Sequence, residues 1–413
     1  MGPGFGVYRP VGAPERGAPE RGEMASGATG ALDTTGFGGE GGGGGGRLEV
    51  FTMGETPLRN EPCTSLRAAP ATFPHGAPRG ECAIFGAPQR VLRCGTLQPS
   101  DTSDTTMSVR EFIALGTGSQ VPTRRRNHNG YFLRWDDEGF LFDPGEGTQR
   151  QMTFGDLPAR AIHRIFVTHF HGDHCLGLAG IIQRLSLDRC DHPVTVHYPA
   201  SGEEYFQRLR HASIYHPCVE LVPAPVTVPD EGMVLIGATD AYTLHAHRLD
   251  HPVPTVGYRL EERPGRRFVP ERLRALGLAG PLIGELSARG SVTVGERTVT
   301  LDEVSVPKEG SAVAFVMDTR ACPGAVALAR DADLLVMEAT YSAADQGLAD
   351  AHGHASSVDA ARTALAAGAR RLALTHFSQR YDSTAEHVRE AKEIFPHTVA
   401  LDDLMHLPIP RRR

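Results

Sequence analysis

The sequence predicts an α/β fold for residues 107–413 of this 413-residue chain. Short β-rich runs alternate there with helical stretches, and Gly, Pro and Asp separate the two. Several of the predicted strands end on His, Asp or Glu, as "RIFVTHF" and "AVAFVMDT" do. An apolar content of 40% and a charged content of 22% are those of a globular protein. We therefore expect a rigid scaffold whose strand ends and loops bring reactive side chains together.

The predicted elements follow one another along the chain in that alternating order. The strands are the runs "EFIALG", "GYFLRW", "GFLFDPG", "RIFVTHF", "VTVHYP", "YTLHAHRL", "VGYRL", "AVAFVMDT", "LLVMEAT" and "RLALTHF". The helices cover residues 146–155, 175–187, 202–212, 323–331, 355–368 and 384–393.

Residues 1–106 differ from the rest of the chain in composition. They hold 22 of the 47 glycines and show no sustained strand or helix period. Such a segment buries too little apolar surface to offset the entropy lost on ordering. It is either a disordered regulatory tail or an upstream extension of a reading frame that starts at Met107, where "MSVREFIALGTGS" begins like a folded domain. We favour the second interpretation, because the segment carries no recognisable chemistry.

Charge and cysteine usage narrow the class of protein further. A net charge of -7 argues against coating nucleic acid or an anionic membrane through bulk charge, so a polyanion would have to meet a local basic patch. The seven cysteines form no C-x-x-C pair, so we expect no disulfide partner and no thiolate zinc site. The chain has no signal-peptide pattern and no run of about 18 apolar residues. We therefore expect a cytoplasmic protein without a membrane span.

The stretch "VTHFHGDHCLGL", residues 167–178, concentrates side chains that bind metals. His169, His171, Asp173 and His174 lie within six residues of one another. His169 and His171 can point the same way from an extended segment, and Gly172 allows the turn that follows. Imidazole nitrogen and carboxylate oxygen are suitable donors for zinc. Four such side chains exceed what one open catalytic ion needs.

Two metal ions about 3.5 to 4 Å apart would account for this surplus, provided that distant segments add further ligands. Three candidates lie at or just beyond predicted strand ends: His251 in "RLDHPVPTVGYR", Asp318 in "VAFVMDTRACPG" and His376 in "LALTHFSQRY". His245 and His247 are close enough in sequence to compete with His251. The residues alone thus indicate a dinuclear hydrolase site.

These motifs carry a family resemblance. "HFHGDH" is the H-x-H-x-D-H signature of the metallo-β-lactamase superfamily, and the span from Val109 to Arg413 most resembles ribonuclease Z, the tRNA 3′-processing endonuclease, in its short bacterial form. The further matches are "PTRRRNHNGY", "LFDPGEGTQRQM", "HFHGDHCLGLAGII", "LDHPVPTVGYRL", "GPLIGEL", "VMDTR", "MEATY", "HGHAS" and "LTHFSQRY". The signature alone indicates only the superfamily, whereas the ordered set is far more specific. The resemblance implies a four-layer αβ/βα sandwich with an inserted tRNA-binding arm.

The resemblance also implies a ligand set of seven residues. In it, one zinc is held by His169, His171 and His251, the other by Asp173, His174 and His376, and Asp318 bridges them. We prefer His251 to its neighbours because the "PVPTVGYR" that follows it matches the family motif. The expected cofactors are two Zn²⁺ per subunit, and Mn²⁺ accepts the same donors.

The implied reaction is attack on phosphorus by a hydroxide shared between the two cations. Asp173 is a candidate proton acceptor as well as a ligand. The resemblance points to His354, in "AHGHAS", as the general acid that protonates the departing ribose 3′ oxygen, and to Glu338 of "MEATY" as the group that orients it. We expect the adjacent His352 to be a bystander.

Residues 261–290 correspond to the family's protruding arm, which clamps the tRNA elbow, and "AGPLIGEL" resembles its tip. The candidate RNA-binding residues in this range are Arg263, Arg266, Arg267, Arg272 and Arg274. Arginines there would position phosphates without reading base sequence. The alternative is a solvated amphipathic hairpin. In the family the arm of one subunit serves the active site of the other, which implies a homodimer.

The leading hypothesis is a zinc-dependent endoribonuclease that removes the 3′ trailer of precursor tRNA. It would cut the phosphodiester 3′ of the discriminator nucleotide and leave a 3′-hydroxyl on the tRNA. The alternative is a metallo-β-lactamase-fold hydrolase of a small phosphodiester or sulfate ester, since fold and metals do not fix the substrate. An arginine-bearing arm favours the first, because a small-molecule hydrolase has no use for one. A relative that only binds RNA is disfavoured by the complete ligand set.

Overall fold

The computed structural model describes residues 109–412, so the segment 1–106 and the start at Met107 lie outside the described residues. The strands are β1 (Arg110–Gly116), β2 (Gly118–Ser119), β3 (Gly130–Trp135), β4 (Glu138–Phe142), β5 (Arg164–Phe166), β6 (Val194–Pro199), β7 (Leu221–Val226), β8 (Val234–Ala238), β9 (Tyr242–Arg248), β10 (Val256–Glu262), β11 (Gly265–Phe268), β12 (Ser291–Val294), β13 (Arg297–Thr300), β14 (Ser305–Lys308), β15 (Ala312–Val316), β16 (Leu334–Glu338), β17 (Leu372–Thr375), β18 (Phe377–Ser378), β19 (Thr398–Ala400) and β20 (His406–Pro408). The helices are α1 (Thr148–Phe154), α2 (Gly172–Cys175), α3 (Leu178–Leu187), α4 (Glu203–Arg210), α5 (Pro270–Ala275), α6 (Pro281–Arg289), α7 (Leu301–Val304), α8 (Pro323–Ala329), α9 (Gln346–His352), α10 (Ser357–Ala367) and α11 (Ala385–Ile394).

Two seven-stranded sheets form the scaffold. The first has the strand order β20-β1-β3-β4-β5-β6-β7, and the second has the order β19-β17-β16-β15-β10-β9-β8. Each sheet is antiparallel on one side and parallel on the other, with β4 to β7 parallel in the first and β15, β16, β17 and β19 parallel in the second. The parallel strands of each sheet place their carboxyl ends at one edge, where the reactive loops begin.

Side chains that alternate between the two faces of each strand produce four layers, with the two sheets facing each other and helices on both outer sides. Phe112 and Tyr131 from the first sheet pack with Tyr258 and Phe315 from the second in one buried cluster. The neighbouring residues of the same strands, such as Ile113, face the opposite side, where they pack against α1, α3 and α4. The second sheet is covered in the same way by α8, α10 and α11. Because side chains of a strand alternate between faces, both sheets are buried on both sides. The predicted αβ/βα sandwich is confirmed.

The predicted helix over 175–187 is wrong at its start. The structure has α2 from Gly172 to Cys175 and a separate α3 from Leu178, with Leu176 and Gly177 between them. A side chain at Gly177 would lie 2.0 Å from the carbonyl oxygen of Gly145, so the close approach of the two loops requires glycine at this break. The break lets Asp173 and His174 face the reactive edge while α3 packs on the sheet.

Strand β7, "LVPAPV", was not predicted because Pro223 and Pro225 read as breakers. It lies at the end of the first sheet, beside β6 only. An edge position tolerates proline, since the missing N–H groups are not needed on the open side. Position in the sheet therefore overrides the local signal.

An insertion, which we define as residues 265–308, separates β10 from β15. Within residues 109–412, its strands pair only with one another, β11 with β14 and β12 with β13. It has its own buried cluster, which includes Leu273, Leu286 and Val304. The predicted arm range, 261–290, ends within this insertion, because the short strands β12, β13 and β14 and helix α7 show no clear period in the sequence.

No helix in residues 109–412 is long and apolar enough to cross a membrane. The cysteines within that range, Cys175, Cys190, Cys218 and Cys322, are unbridged, and the first two are buried.

Candidate metal centre

Four loops that follow strands of the two sheets converge at one edge. The loop after β5 carries His169 and His171 and leads into α2, whose first turn holds Asp173 and His174. His251 follows β9, Asp318 follows β15 and His376 follows β17. The structure thus brings together all seven predicted ligands, which fall into two groups that share Asp318.

The first group consists of His169, His171, His251 and Asp318, whose donor atoms lie close together. Nε2 of His169 lies 2.9 Å from Nδ1 of His171 and 3.5 Å from Oδ2 of Asp318. Nε2 of His251 lies 3.9 Å from the same oxygen. Three imidazoles and one carboxylate oxygen therefore surround one point.

The second group consists of Asp173, His174 and His376. Nε2 of His174 lies 3.2 Å from Nε2 of His376 and 3.3 Å from Oδ2 of Asp173. The other carboxylate oxygen of Asp318, Oδ1, lies 3.2 Å from the His174 nitrogen and 3.1 Å from that of His376. The two oxygens of Asp318 thus face different groups, as a bridging ligand requires.

The geometry and the unsatisfied atoms both fit bound cations. Ligand atoms at the usual 2.0–2.2 Å from a tetrahedral zinc ion lie about 3.3–3.6 Å from one another, close to the separations above. Within the described residues, Nε2 of His251 and Oδ1 of Asp318 are buried without a hydrogen-bond partner. Buried polar atoms of this kind are costly unless something binds them. A cation at each group would satisfy both.

Outer hydrogen bonds fix which imidazole nitrogen faces the centre. Nδ1 of His174 lies 2.9 Å from the buried carboxylate of Asp143, and Nδ1 of His251 donates to the carbonyl oxygen of Gly353 at 2.8 Å. Nδ1 of His376 lies 2.6 Å from the hydroxyl of Thr340. Each contact holds the ring so that Nε2 is the inward donor atom, which is the arrangement that orients histidine ligands.

Burial and neighbouring charge set the protonation of the two central residues. Burial lowers the pKa of His169 well below its usual value, which favours the neutral imidazole that a metal requires. For Asp318, burial acts to raise the pKa, but the surrounding histidines, led by His174, hold it well below the usual range. Asp318 is therefore a carboxylate able to use both oxygens.

Three residues of the site adopt a left-handed backbone conformation. The φ angles are 42° for Asp143, 39° for Asp318 and 60° for His376. This region is unfavourable for side-chain-bearing residues and costs of order 1 kcal/mol or more each. The surrounding sheets stabilise these three residues in the strained conformation. The left-handed backbone directs their side chains towards the centre just after β4, β15 and β17 end.

His354 lies beside the two groups, paired with a buried carboxylate. Its Nδ1 is 3.1 Å from Oε1 of Glu338 and 3.9 Å from Oδ2 of Asp318. Glu338 is fixed in turn by the backbone N–H of Thr319 and the hydroxyl of Thr340, both at 2.5 Å. Burial acts to lower the pKa of His354, but Glu338 outweighs it and raises the pKa to about 9. An imidazolium with Nδ1 held by Glu338 keeps Nε2–H available as a proton donor.

The segment that carries His354 is anchored from α11. A carboxylate oxygen of Glu390 accepts hydrogen bonds from the N–H of Ala343 at 2.9 Å and the hydroxyl of Ser357 at 2.5 Å. Ser357 begins α10, and Ser356 caps that helix by accepting from the N–H of Asp359. Glu390 therefore fixes the chain on both sides of His354, through Ala343 before α9 and through Ser357 at the start of α10.

A cleft of about 730 Å³ opens over the two groups and His354. His352 also lines it, with Nδ1 3.0 Å from the hydroxyl of Tyr341, so it lies at the edge of the site without joining the ligand groups. His245 and His247 remain on β9 and contact Thr243 and the carbonyl of Arg248 instead. Of the three histidines in this stretch, the structure brings only His251 to the centre.

Sequence reasoning missed Asp143, although it quoted the "LFDPG" stretch that contains it. Its carboxylate accepts from the N–H and hydroxyl of Thr168 and contacts His174. Gly145, two residues later, packs so tightly that a Cβ there would lie 2.1 Å from the carbonyl oxygen of Asp173. The usable signal was an acidic residue directly after a strand, before Pro and Gly, a pattern that also marks ordinary turns.

The five candidate RNA-binding arginines lie apart from the metal groups and are all exposed. Arg263 donates to the carbonyl of Thr239 at the base of the insertion. Arg266 pairs with Asp302, and Arg274 pairs with Glu271. Arg272 donates weakly to a backbone carbonyl of α7. These side chains are solvated, and nothing buries them in the way the ligands are buried.

Facing sheets with a bridged His and Asp centre at their strand ends define a hydrolase of the metallo-β-lactamase superfamily, and the model of that superfamily matches residues 123–263. The similarity to characterised relatives is more specific. A ribonuclease Z of Nocardia farcinica is 54% identical over 309 residues, covering 74% of this chain and all of that protein. The Chlamydia caviae ribonuclease Z is 45% identical, with 74% and 98% covered. The chain belongs to the ribonuclease Z family, as its motifs predicted.

Solved structures agree with this placement. The human short-form tRNase Z superposes with a TM-score of 0.53 at 27% identity, covering 73% of this chain and 99% of that one. A long-form ribonuclease Z from yeast gives the same TM-score at 16% identity, which supports the fold alone.

Proposed function

We propose that this protein is a tRNA 3′ endonuclease that removes the 3′ trailer from precursor tRNA and leaves a 3′-hydroxyl on the discriminator nucleotide. The observation that carries the proposal is the pair of ligand groups bridged by Asp318, with the His354 and Glu338 pair beside it, in a chain of the ribonuclease Z family. A proton donor directly at a dinuclear centre suits phosphodiester cleavage, in which an oxygen must leave with a proton.

Two Zn²⁺ ions are the proposed cofactors, and Mn²⁺ would fit the same nitrogen and oxygen donors. His169, His171 and His251 would hold one ion, Asp173, His174 and His376 would hold the other, and Asp318 could serve both. When bound, the ions supply an activated water as nucleophile and neutralise charge on the phosphate oxygens.

The protein's own residues handle the protons. Asp173 presents Oδ2 between the second group and the cleft, where it also accepts the backbone N–H of Gln120 at 2.8 Å. It is placed to accept a proton from the attacking water. His354 donates a proton to the departing 3′ oxygen, and Glu338 keeps its imidazole charged and oriented.

The insertion is the proposed contact for the body of the tRNA. Its exposed arginines Arg266, Arg267, Arg272 and Arg274, together with Arg263 just before it, would neutralise phosphates while the net-acidic remainder of the chain repels them. Arg124, Arg125 and Arg126 precede β3, and Arg124 and Arg125 are exposed. Binding of this kind follows shape and charge, so it weakens steeply with salt.

A homodimer is proposed for the working assembly, in the bacterial cytoplasm. α3 and α4 pack together, and three large apolar side chains on or beside them, Leu187, Tyr205 and Ile214, are exposed. We propose that these exposed apolar groups belong to a contact surface.

The test is cleavage of a 3′-extended precursor tRNA by the full chain, with and without a chelator. We expect chelator-sensitive release of the trailer, a rate reduced about 10²- to 10⁴-fold in His354→Ala, and an unchanged rate in the matched control His245→Ala. Turnover of a small phosphodiester or sulfate ester without precursor cleavage would favour the alternative hydrolase instead.

A further inference from the structure

A second cavity adjoins the metal centre on the side of His251. It has a volume of about 380 Å³ and lies between the ends of β6 and β7 and the loop over residues 248–256. Its walls are mostly apolar or uncharged, with Val226, Pro252 and Pro254 among them. Ligand pockets begin at about 300 Å³, so this side cavity can hold one planar ring system.

The side cavity shares a wall with the catalytic cleft. His251 and Pro252 line both spaces, so the two are separated only by a ligand residue and the residue after it. The side chain of His251 is held by the carbonyl of Gly353 and by the ligand group, which makes this wall rigid. A strand of RNA whose phosphate lies at the metals can therefore place its next base in the side cavity.

Charge at the rim suits a nucleotide more than an apolar ligand. Among the described residues that line the side cavity, Arg248 carries the one permanent charge. Its side chain is 61% exposed and pairs with the solvated Asp230 at 2.6 Å. Because such a surface pair is weak, the guanidinium can exchange Asp230 for a phosphate at low cost.

The position of His354 indicates which nucleotide the side cavity binds. His354, Tyr341 and Arg380 line the catalytic cleft, and none of them lines the side cavity. The proton donor belongs beside the 3′ oxygen of the discriminator nucleotide, so that nucleoside occupies the cleft near His354. We propose that the side cavity binds the base of the first trailer nucleotide, with Arg248 meeting the phosphate that follows it. This inference rests on the proposed function.

The experiment combines a cavity-filling variant with a base-deleted substrate. Ser201 is an exposed lining residue, so Ser201→Trp fills the space from its rim, and Ala366→Trp on the exposed face of α10 is the matched control. The zinc-loaded full chain is assayed on precursor tRNA with an intact or an abasic first trailer nucleotide. Hydrolysis of bis(p-nitrophenyl) phosphate, which has no trailer, reports on the metal centre.

We expect the abasic substrate to raise KM about tenfold in the unmodified chain, the effect of losing roughly 60 Å² of buried apolar contact. Ser201→Trp should raise KM for the intact substrate by a similar factor, leave its kcat nearly unchanged, and add little on the abasic substrate, because the two changes remove the same contact. Hydrolysis of bis(p-nitrophenyl) phosphate should equal that of Ala366→Trp.

Equal KM effects of Ser201→Trp on both substrates, or no effect of the abasic nucleotide, would overturn the base site while precursor cleavage stands. If Ser201→Trp also loses hydrolysis of the small ester, Thr227→Trp, which fills the space from the residue after β7, decides by the same comparison. Failure of the unmodified chain to cleave precursor tRNA would overturn the proposed function, and the base site with it.

Discussion

The metal centre and the insertion handle charge in opposite ways. In the centre, His169, His174 and Asp318 are buried, and each is held by several neighbours at fixed distances. In the insertion, Arg266 and Arg274 are exposed and paired with nearby acidic side chains. Surface pairs contribute about 0–1 kcal/mol, whereas removing one partner of a buried pair costs about 3–5 kcal/mol. The function of the metal centre therefore depends on each single residue, whereas the function of the insertion depends on the summed charge of its arginines.

The largest effect is expected from Asp318→Asn. An amide keeps the shape but removes the charge that both groups share, so we expect loss of bound zinc and a fall in precursor cleavage of at least about 10³-fold. The matched change in the insertion, Asp302→Asn, should alter the rate by less than about twofold. Zinc content by mass spectrometry and single-turnover rates measure both. Equal losses of zinc and of cleavage rate in Asp318→Asn and Asp302→Asn would contradict the proposed difference between the two regions.

Glu338→Gln tests whether Glu338, which is buried but is not a proposed metal ligand, affects catalysis through His354. The amide can still accept from Thr319, but it no longer stabilises the charge on His354. Activity that needs protonated His354 is lost as pH rises through its pKa, which Glu338 raises to about 9. Removing that charge should move the alkaline limb of kcat to lower pH and reduce kcat about 10²-fold. Zinc content should be retained.

The control for Glu338→Gln is Glu386→Gln on the exposed side of α11, which should leave the pH profile in place. A profile that keeps its alkaline limb in Glu338→Gln would show that His354 is not the group that sets it.

Leu286→Ala asks whether the insertion acts as a folded unit. Leu286 is fully buried in the insertion's own cluster, so truncation should cost about 2–5 kcal/mol, enough to loosen a small unit. We expect KM for precursor tRNA to rise about 10- to 100-fold, with unchanged turnover of bis(p-nitrophenyl) phosphate. The exposed Leu365→Ala on α10 is the control. Loss of turnover on the small ester would instead show that the two regions are energetically coupled.

The smallest effects belong to single arginines. Arg267→Ala should weaken precursor binding by about 1 kcal/mol and reduce the slope of log K against log salt by about one. Nitrocellulose filter binding at several salt concentrations measures both. The control is Arg362→Ala on the exposed side of α10, far from the insertion in sequence. An unchanged salt slope would remove Arg267 from the RNA contact.

The sequence predicted the scaffold and the clustering of seven metal-binding types of side chain, for physical reasons. Strands buried on both faces leave continuous apolar runs, and a ligand set that repeats His and Asp at short spacing is visible without coordinates. Asp143 was not identified, because a single carboxylate after a strand is common in turns. The returning strands of the insertion were missed since they are short and bury little. The contribution of distant residues such as Glu390 depends on tertiary contacts that no local pattern records.

The prolines of β7 limit how copies of this protein can meet. Pro223 and Pro225 are two residues apart, so their backbone groups point to the same side of β7. Both lack the N–H that a further strand at this edge would need. Open sheet edges otherwise act as templates for aggregation and strand exchange. This edge is therefore closed to growth of the sheet, so association between copies here must proceed through side-chain surfaces, and the nascent chain is protected from mispairing at the same place.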